Sequence, residues 1–142
     1  MTLTDDRRTE LLGNCRLFTG LPTDQLRAIA GSAQEVEFPA GRVIARQGEV
    51  GTGFFVVVDG SVRVVRDGEL LAALGPGEFF GELSILDGQP RIAQVVADEP
   101  TRCLAIASWD FERVLLENPP LTLGILRGLA GRLRSVTEQH RQ

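Results

Sequence analysis

An α+β fold is predicted by three features of this 142-residue chain: helical apolar spacing at both ends, short β-rich runs punctuated by glycine between them, and a leucine seam near the C-terminus. At the start, Leu11 and Leu12 follow a polar lead containing Thr4, Asp5 and Asp6, a composition that suits a capped helix start. A second helix is predicted over 22–30. Pro22 fits a first helical position, Leu26, Ile29 and Ala30 recur at helical spacing, and Gly31 is expected to stop the run.

Seven strands are predicted next, over 36–38, 42–45, 54–58, 62–65, 70–74, 92–96 and 102–106, which implies a barrel or sandwich. Turn chemistry separates them: Pro39-Ala40-Gly41, Gly48 to Gly53, Asp59-Gly60, Asp67-Gly68 and Gly75-Pro76-Gly77. Asp67-Gly68 is the clearest hairpin signal, because a type I′ turn needs positive φ at both central residues and these two tolerate it.

Helical spacing returns after Ile106. Ser108 is expected to cap, Asp110 and Glu112 suit the positive end of a helix, and Phe111, Val114 and Leu115 make one apolar face. Pro119-Pro120 should break that helix and allow another, on which Leu126, Leu129, Leu133 and Val136 form a seam. That spacing serves packing onto the β body and self-association equally. Trp109 is expected to be a core or hinge residue at the helix entry.

Bulk composition narrows the function. Hydrophobic residues make up 43% of the chain and charged ones 24%, a globular balance, and the length suits one domain. A formal net charge of −4 argues against nonspecific nucleic-acid binding, which needs a basic footprint. The segment 1–10 carries five charges and no apolar run, and no stretch approaches the ~20 apolar residues of a membrane span. Cys15 and Cys103 have neither metal-ligand spacing nor a secretory context, so two buried thiols in a reducing cytoplasm are expected. A metal enzyme on a β-barrel needs several converging His and carboxylate ligands, and His140, the one histidine, lies in a polar tail. Nucleophilic catalysis with a histidine base is equally unsupported.

The informative stretch runs from Gly77 to Ala93. Gly81, Gly88 and Pro90 interrupt any strand, and Leu83 to Leu86 would fit one helical turn. Glycine before such a turn lets backbone N–H groups approach an anion, and Arg91 adds a permanently charged donor fork matched to phosphate oxygens. Glu82 only accepts hydrogen bonds, so beside a phosphate it needs another purpose, such as a sugar hydroxyl.

The run FGELSILDGQPRIA resembles the phosphate-binding cassette of the cyclic-nucleotide-binding domain family, which includes the sensor domains of bacterial catabolite activators and of cyclic-AMP-dependent kinase regulatory subunits. Further likeness lies in LFTGLP, in GRVIARQGEVGTGFFVVVDGSVRVV and in the closing helix pair. The resemblance implies an antiparallel β-roll, similar to a jelly roll, with N-terminal helices and two C-terminal helices. It divides a single domain spanning 1–142 into helices in 1–33, the roll in 34–107 with the cassette in 79–93, and helices in 108–142.

It also implies a cyclic nucleotide ligand and no catalysis. Gly81 and Glu82 match the residues that meet the ribose, Glu82 accepting from its 2′-hydroxyl, and Arg91 matches the arginine paired with the cyclic phosphate. Backbone donors are implied at Leu83, Ile92 and Ala93, an apolar pocket lining at Val64, Leu71 and Phe80, and a base contact at Thr137, with Ser135 nearby. Gly41 and Gly60 match glycines that shape the roll. Ile92 departs from the small residue usual after the arginine. Lacking the hydroxyl associated with guanine recognition, it favours cyclic AMP over cyclic GMP, with no metal.

The expected module is thus a sensor that signals through its C-terminal helix, with a homodimer through that helix as one assembly and no direct contact to nucleic acid or membrane. Two alternatives stand beside it: the sensor part of a catabolite-activator-like transcription regulator, and an interaction domain that kept the fold and lost the ligand, for which Ile92 is the support.

Overall fold

The computed structural model describes residues 3–50, 53–81 and 88–139. Helix α1 (Asp5–Gly13) begins as its sequence predicts: Thr4 is the N-cap, its hydroxyl accepting from the Arg7 N–H at 3.1 Å. A 3₁₀ turn (Arg16–Phe18) leads to α2 (Thr23–Ser32), which has Pro22 at the cap and continues through Gly31. The helix end predicted at Ala30 is therefore two residues too early. Burial of Ile29 and Ala30 holds the last turn in place despite the glycine.

Eight strands follow among the described residues: β1 (Gln34–Phe38), β2 (Val43–Ala45), β3 (Gly53–Asp59), β4 (Val62–Arg66), β5 (Glu69–Leu74), β6 (Phe79–Phe80), β7 (Gln94–Ala97) and β8 (Thr101–Ala107). They form two antiparallel four-stranded sheets, ordered β1-β8-β3-β6 and β2-β7-β4-β5. Asp67 and Gly68 turn β4 into β5 with φ of 51° and 82°, as the hairpin signal requires. The chain closes with α3 (Ser108–Glu117) and α4 (Pro119–Gln139). Ser108 is the first helical residue, not the cap. Ala107 takes that place without a side-chain bond.

Strand β3 separates two cores because its side chains alternate across the sheet. Phe54, Val56 and Val58 face the helices and pack with Leu12, Phe18, Ile29, Leu104, Ile106, Phe111, Val114, Leu121 and Ile125. Val57 and Phe55 face the interior of the roll with Ala45, Val62, Phe80, Val95 and Cys103. The two-residue strand β6 repeats the alternation: Phe80 stacks on Phe55 at 5.0 Å between ring centroids, and Phe79 lies 5.6 Å from Phe54 on the helical side. Gly60, at φ 92°, is obligatory at the β3–β4 turn, since a Cβ there would come within 2.6 Å of the Pro100 carbonyl oxygen.

Two expectations about the C-terminal helices change. Trp109 is 68% exposed and belongs to neither core. The α4 seam also divides: Leu121 and Ile125 are buried against the β body and Leu129 packs beside them, whereas Leu126, Leu133 and Val136 are more than half exposed. The buried positions repeat every four residues. The outer leucines stand on another face of the same helix, so packing onto the roll does not account for them.

Candidate functional site

Two of the residues singled out by the sequence converge on a third that was not. Gly81 follows β6 with φ 99°, and a Cβ at this position would collide with the Gly53 carbonyl oxygen. Only glycine lets the chain pass there. The half-buried Arg91 donates from Nη2 to that same Gly53 oxygen at 3.2 Å. The start of β3 thereby fixes both the glycine and the guanidinium.

The main chain of Arg91 is held separately. Its N–H donates to the Glu49 carbonyl at 2.7 Å, the Gly48 N–H donates to the Arg91 carbonyl at 2.8 Å, and Val50 bridges to Pro90. These bonds explain a boundary that sequence reading placed too early. Arg91 is committed to the 48–50 segment, and the β7 ladder begins only at Gln94, opposite Val65. Ile92 and Ala93 therefore lie outside β7, contrary to the strand predicted from residue 92. Ile92 is 61% exposed and Ala93 is buried.

The apolar candidates differ in burial. Phe80 is buried in the roll core, Val64 packs against that core, and Leu71 is half exposed. A bulge in the β4–β5 ladder, where Val64 pairs with Ala72 and Val65 with Leu70, leaves Leu71 as the extra residue. Thr137, exposed near the end of α4, donates its hydroxyl to the Leu133 carbonyl at 2.9 Å, so that hydroxyl is engaged on its own helix. Glu82, Leu83 and the proposed turn through Leu86 lie outside the described residues, as does His140.

Sequence reasoning missed Gly53 as a partner of Gly81 and Arg91. It noted the residue only as the end of a glycine-bearing turn. A glycine opening a strand was the available signal, and its carbonyl meets residues far along the chain, which no local pattern reveals.

The rest of the described structure offers little for other chemistry. No group of three or more His, Cys, Asp or Glu side chains that could hold a metal occurs among the described residues, and none of their helices is long and apolar enough to cross a membrane. Cys15 and Cys103 are both buried, and burial pushes the Cys103 thiol up to about 12, so it stays a protonated packing residue. An open cleft of about 500 Å³ lies against Glu37, Phe38, Pro39, Asp59, Pro100, Thr101 and Arg102. Asp59 and Gly53 are opposite ends of β3, so the cleft is remote from Arg91.

Two four-stranded sheets flanked by helices, with Gly81 and Arg91 brought to the start of β3, are the features that comparison with known proteins places in a family. The cyclic nucleotide-binding domain family model matches residues 35–118, and the chain belongs to this family. It is 31% identical over 130 residues to a CRP-like cAMP-activated global transcriptional regulator of Mycobacterium tuberculosis, covering 88% of this chain and 58% of that protein. The crystal structure of the Thermus thermophilus catabolite activator protein superimposes with a TM-score of 0.78 at 35% identity, covering 87% of this chain and 60% of the other. A similar segment occurs in glutaminase 2 of Bradyrhizobium diazoefficiens, 35% identical over 128 residues, 89% of this chain but 20% of that protein. The chain thus spans less than two thirds of each of these relatives.

Proposed function

We propose that residues 1–142 work as one sensor that binds cyclic AMP, with the phosphate at Arg91, and transmits occupancy through α4 without catalysing a reaction. The observation that carries this reading is the convergence of Gly81 and Arg91 on the Gly53 carbonyl. It holds a charged fork half-buried where the cassette leaves β6. An Arg fork in such a place binds phosphate in a bidentate manner that a flexible surface arginine does not match.

In this reading Gly81 and Glu82 meet the ribose, the backbones of Leu83, Ile92 and Ala93 add donors, and Val64, Leu71 and Phe80 supply apolar contact. Thr137 meets the base once α4 has moved, exchanging its bond to Leu133 for one to the ligand. The nucleotide shifts α4 only by as much as it prefers the closed arrangement. The net charge of −4 supports a role without direct nucleic-acid contact, and two cysteines without a secretory context support a cytoplasmic one.

Ile92 carries no hydroxyl, and its 61% exposure means that it crowds no packed pocket wall. Cyclic AMP is therefore expected to bind more tightly than cyclic GMP in calorimetric titration and direct competition. Equal or reversed affinities remove the reason for naming adenine, and absence of binding to either favours the domain that has lost its ligand. The relatives also favour a second reading of the output, in which this sensor is the regulatory part of a longer protein, since similar segments occur within a cAMP-activated transcriptional regulator and within a glutaminase. The full reading frame decides between that and a module acting alone.

The exposed Leu126, Leu133 and Val136 favour a homodimer through α4, since they form an apolar face that the β body leaves uncovered. Leu133→Glu places an unpaired charge in such a seam and is expected to give a monomer, by light scattering, with the far-UV spectrum unchanged. Leu129 is a poorer probe because it packs against the intramolecular core. A wild type that is already monomeric ends the dimer reading.

A further inference from the structure

Gln47 makes a reciprocal pair of hydrogen bonds with the tip of the β4–β5 hairpin. Its Nε2 donates to Asp67 Oδ1 at 2.9 Å, and the Asp67 N–H donates to Gln47 Oε1 at 3.2 Å. One side-chain amide thus uses its donor and its acceptor on a single residue, which fixes the direction of approach as well as the distance.

The next residues in the chain, Gly48 and Glu49, hold the Arg91 main chain from both sides, and Val50 bridges to Pro90. A continuous path therefore runs from the hairpin tip through Gln47 and the 48–50 segment to Arg91. The hairpin carries Val64 and Leu71 on one side of the proposed pocket. The 48–50 segment sets the arginine on another.

We infer that Gln47 is a positioning residue, which locks the β4–β5 hairpin to the arginine segment so that the apolar wall and the phosphate fork of the pocket keep one relative placement. The inference rests on the reading that Arg91 holds the phosphate. Its physical basis is preorganisation: a pocket whose walls are already tied loses less freedom when it closes on a ligand. Asp67 suits the role because it already occupies a positive φ of 51° in the turn, so its carboxylate and N–H are presented together. Arg66 lies 3.9 Å from the other Asp67 carboxylate oxygen, but both side chains are largely exposed and this contact sets no direction.

The test is a charge-exchange cycle. Gln47→Glu removes the donor and sets two carboxylates against each other. It is expected to weaken cyclic AMP binding by about three- to tenfold, the range for one modest hydrogen-bond contact. In the ligand-free chain it should also speed hydrogen exchange at the Arg91 amide. Asp67→Asn alone keeps an acceptor for the Gln47 amide and tolerates positive φ, so it should behave as the wild type. Combining Gln47→Glu with Asp67→Asn restores a donor facing an acceptor and should recover both affinity and slow exchange.

Recovery in the double variant separates a specific pairing from general destabilisation of two turns, and it holds even if the single variant is partly unfolded. Unchanged affinity and exchange in Gln47→Glu, or no recovery in the double variant, overturns the inference. If the wild type binds no cyclic AMP, the proposed site fails, yet exchange at the Arg91 amide still decides whether Gln47 couples the two segments.

Discussion

Arg91→Ala is expected to reduce cyclic AMP affinity by about 30-fold to several thousand-fold, corresponding to about 2–5 kcal/mol for loss of one partner from a desolvated, hydrogen-bonded charge pair. The folded chain should survive the change. The Arg91 main chain is fixed by Glu49 and Gly48 through bonds that the substitution leaves in place, and the side chain, which donates to the Gly53 carbonyl, is half-buried and belongs to neither core. Its melting temperature without ligand should therefore stay near that of the wild type, while the titration loses its heat. Arg91→Lys returns the charge without the planar fork and should rescue only part of the affinity. Wild-type affinity in a folded Arg91→Ala protein removes Arg91 from the site.

The largest effect on stability is expected from Phe54→Ala. This side chain is fully buried and in contact with three others: Phe111, stacked at 4.9 Å between centroids, Phe79 at 5.6 Å, and Phe18 edge-on at 5.8 Å. Those rings come from α3, β6 and the turn after α1, so no single element can close the void. The cost should be about 3–5 kcal/mol. For a chain of this size it should lower Tm by roughly 10–20 °C in a thermal melt followed by circular dichroism. Leu116→Ala, at a position 83% exposed, serves as the contrast and should shift Tm little. Near-equal melting of the two variants contradicts the account of the helical core.

Both predictions depend on features that the sequence disclosed unequally. Local chemistry was legible: Thr4 caps α1, Asp67-Gly68 turns the hairpin, and Pro119-Pro120 separates α3 from α4. Each depends on residues a few positions apart. The short strand β6 was not legible, because Phe79 and Phe80 are too few to show alternation and pair only with distant β3. Ile92 was assigned to a strand as the start of the β-rich run 92–96, yet the hydrogen bonds of Arg91 to the 48–50 segment delay the ladder to Gln94. Trp109 was read as a core or hinge residue at the helix entry, and tertiary packing left it outside both cores.

At the site, residue types were readable and meeting points were not. Gly81 and Arg91 stood out as chemistry that suits an anion, and their common partner, the Gly53 oxygen, is a backbone atom that any residue type would carry. Gln47 and Asp67 were likewise hidden. A polar residue in a turn is ordinary until the other end of its hydrogen bonds is known.

The strand order has a consequence for how the chain is born. β8 lies between β1 and β3, so two strands from the first part of the β region wait for a partner made near its end. β2 likewise waits for β7. Among the described strands only β4 and β5 are both adjacent in sequence and paired. At a synthesis rate of ~5–20 residues per second, β1 and β3 remain exposed for seconds before the sheet can close. Among the described strands, the Asp67-Gly68 hairpin is the piece that can assemble as it leaves the ribosome, and slow, late condensation around β8 completes the two sheets.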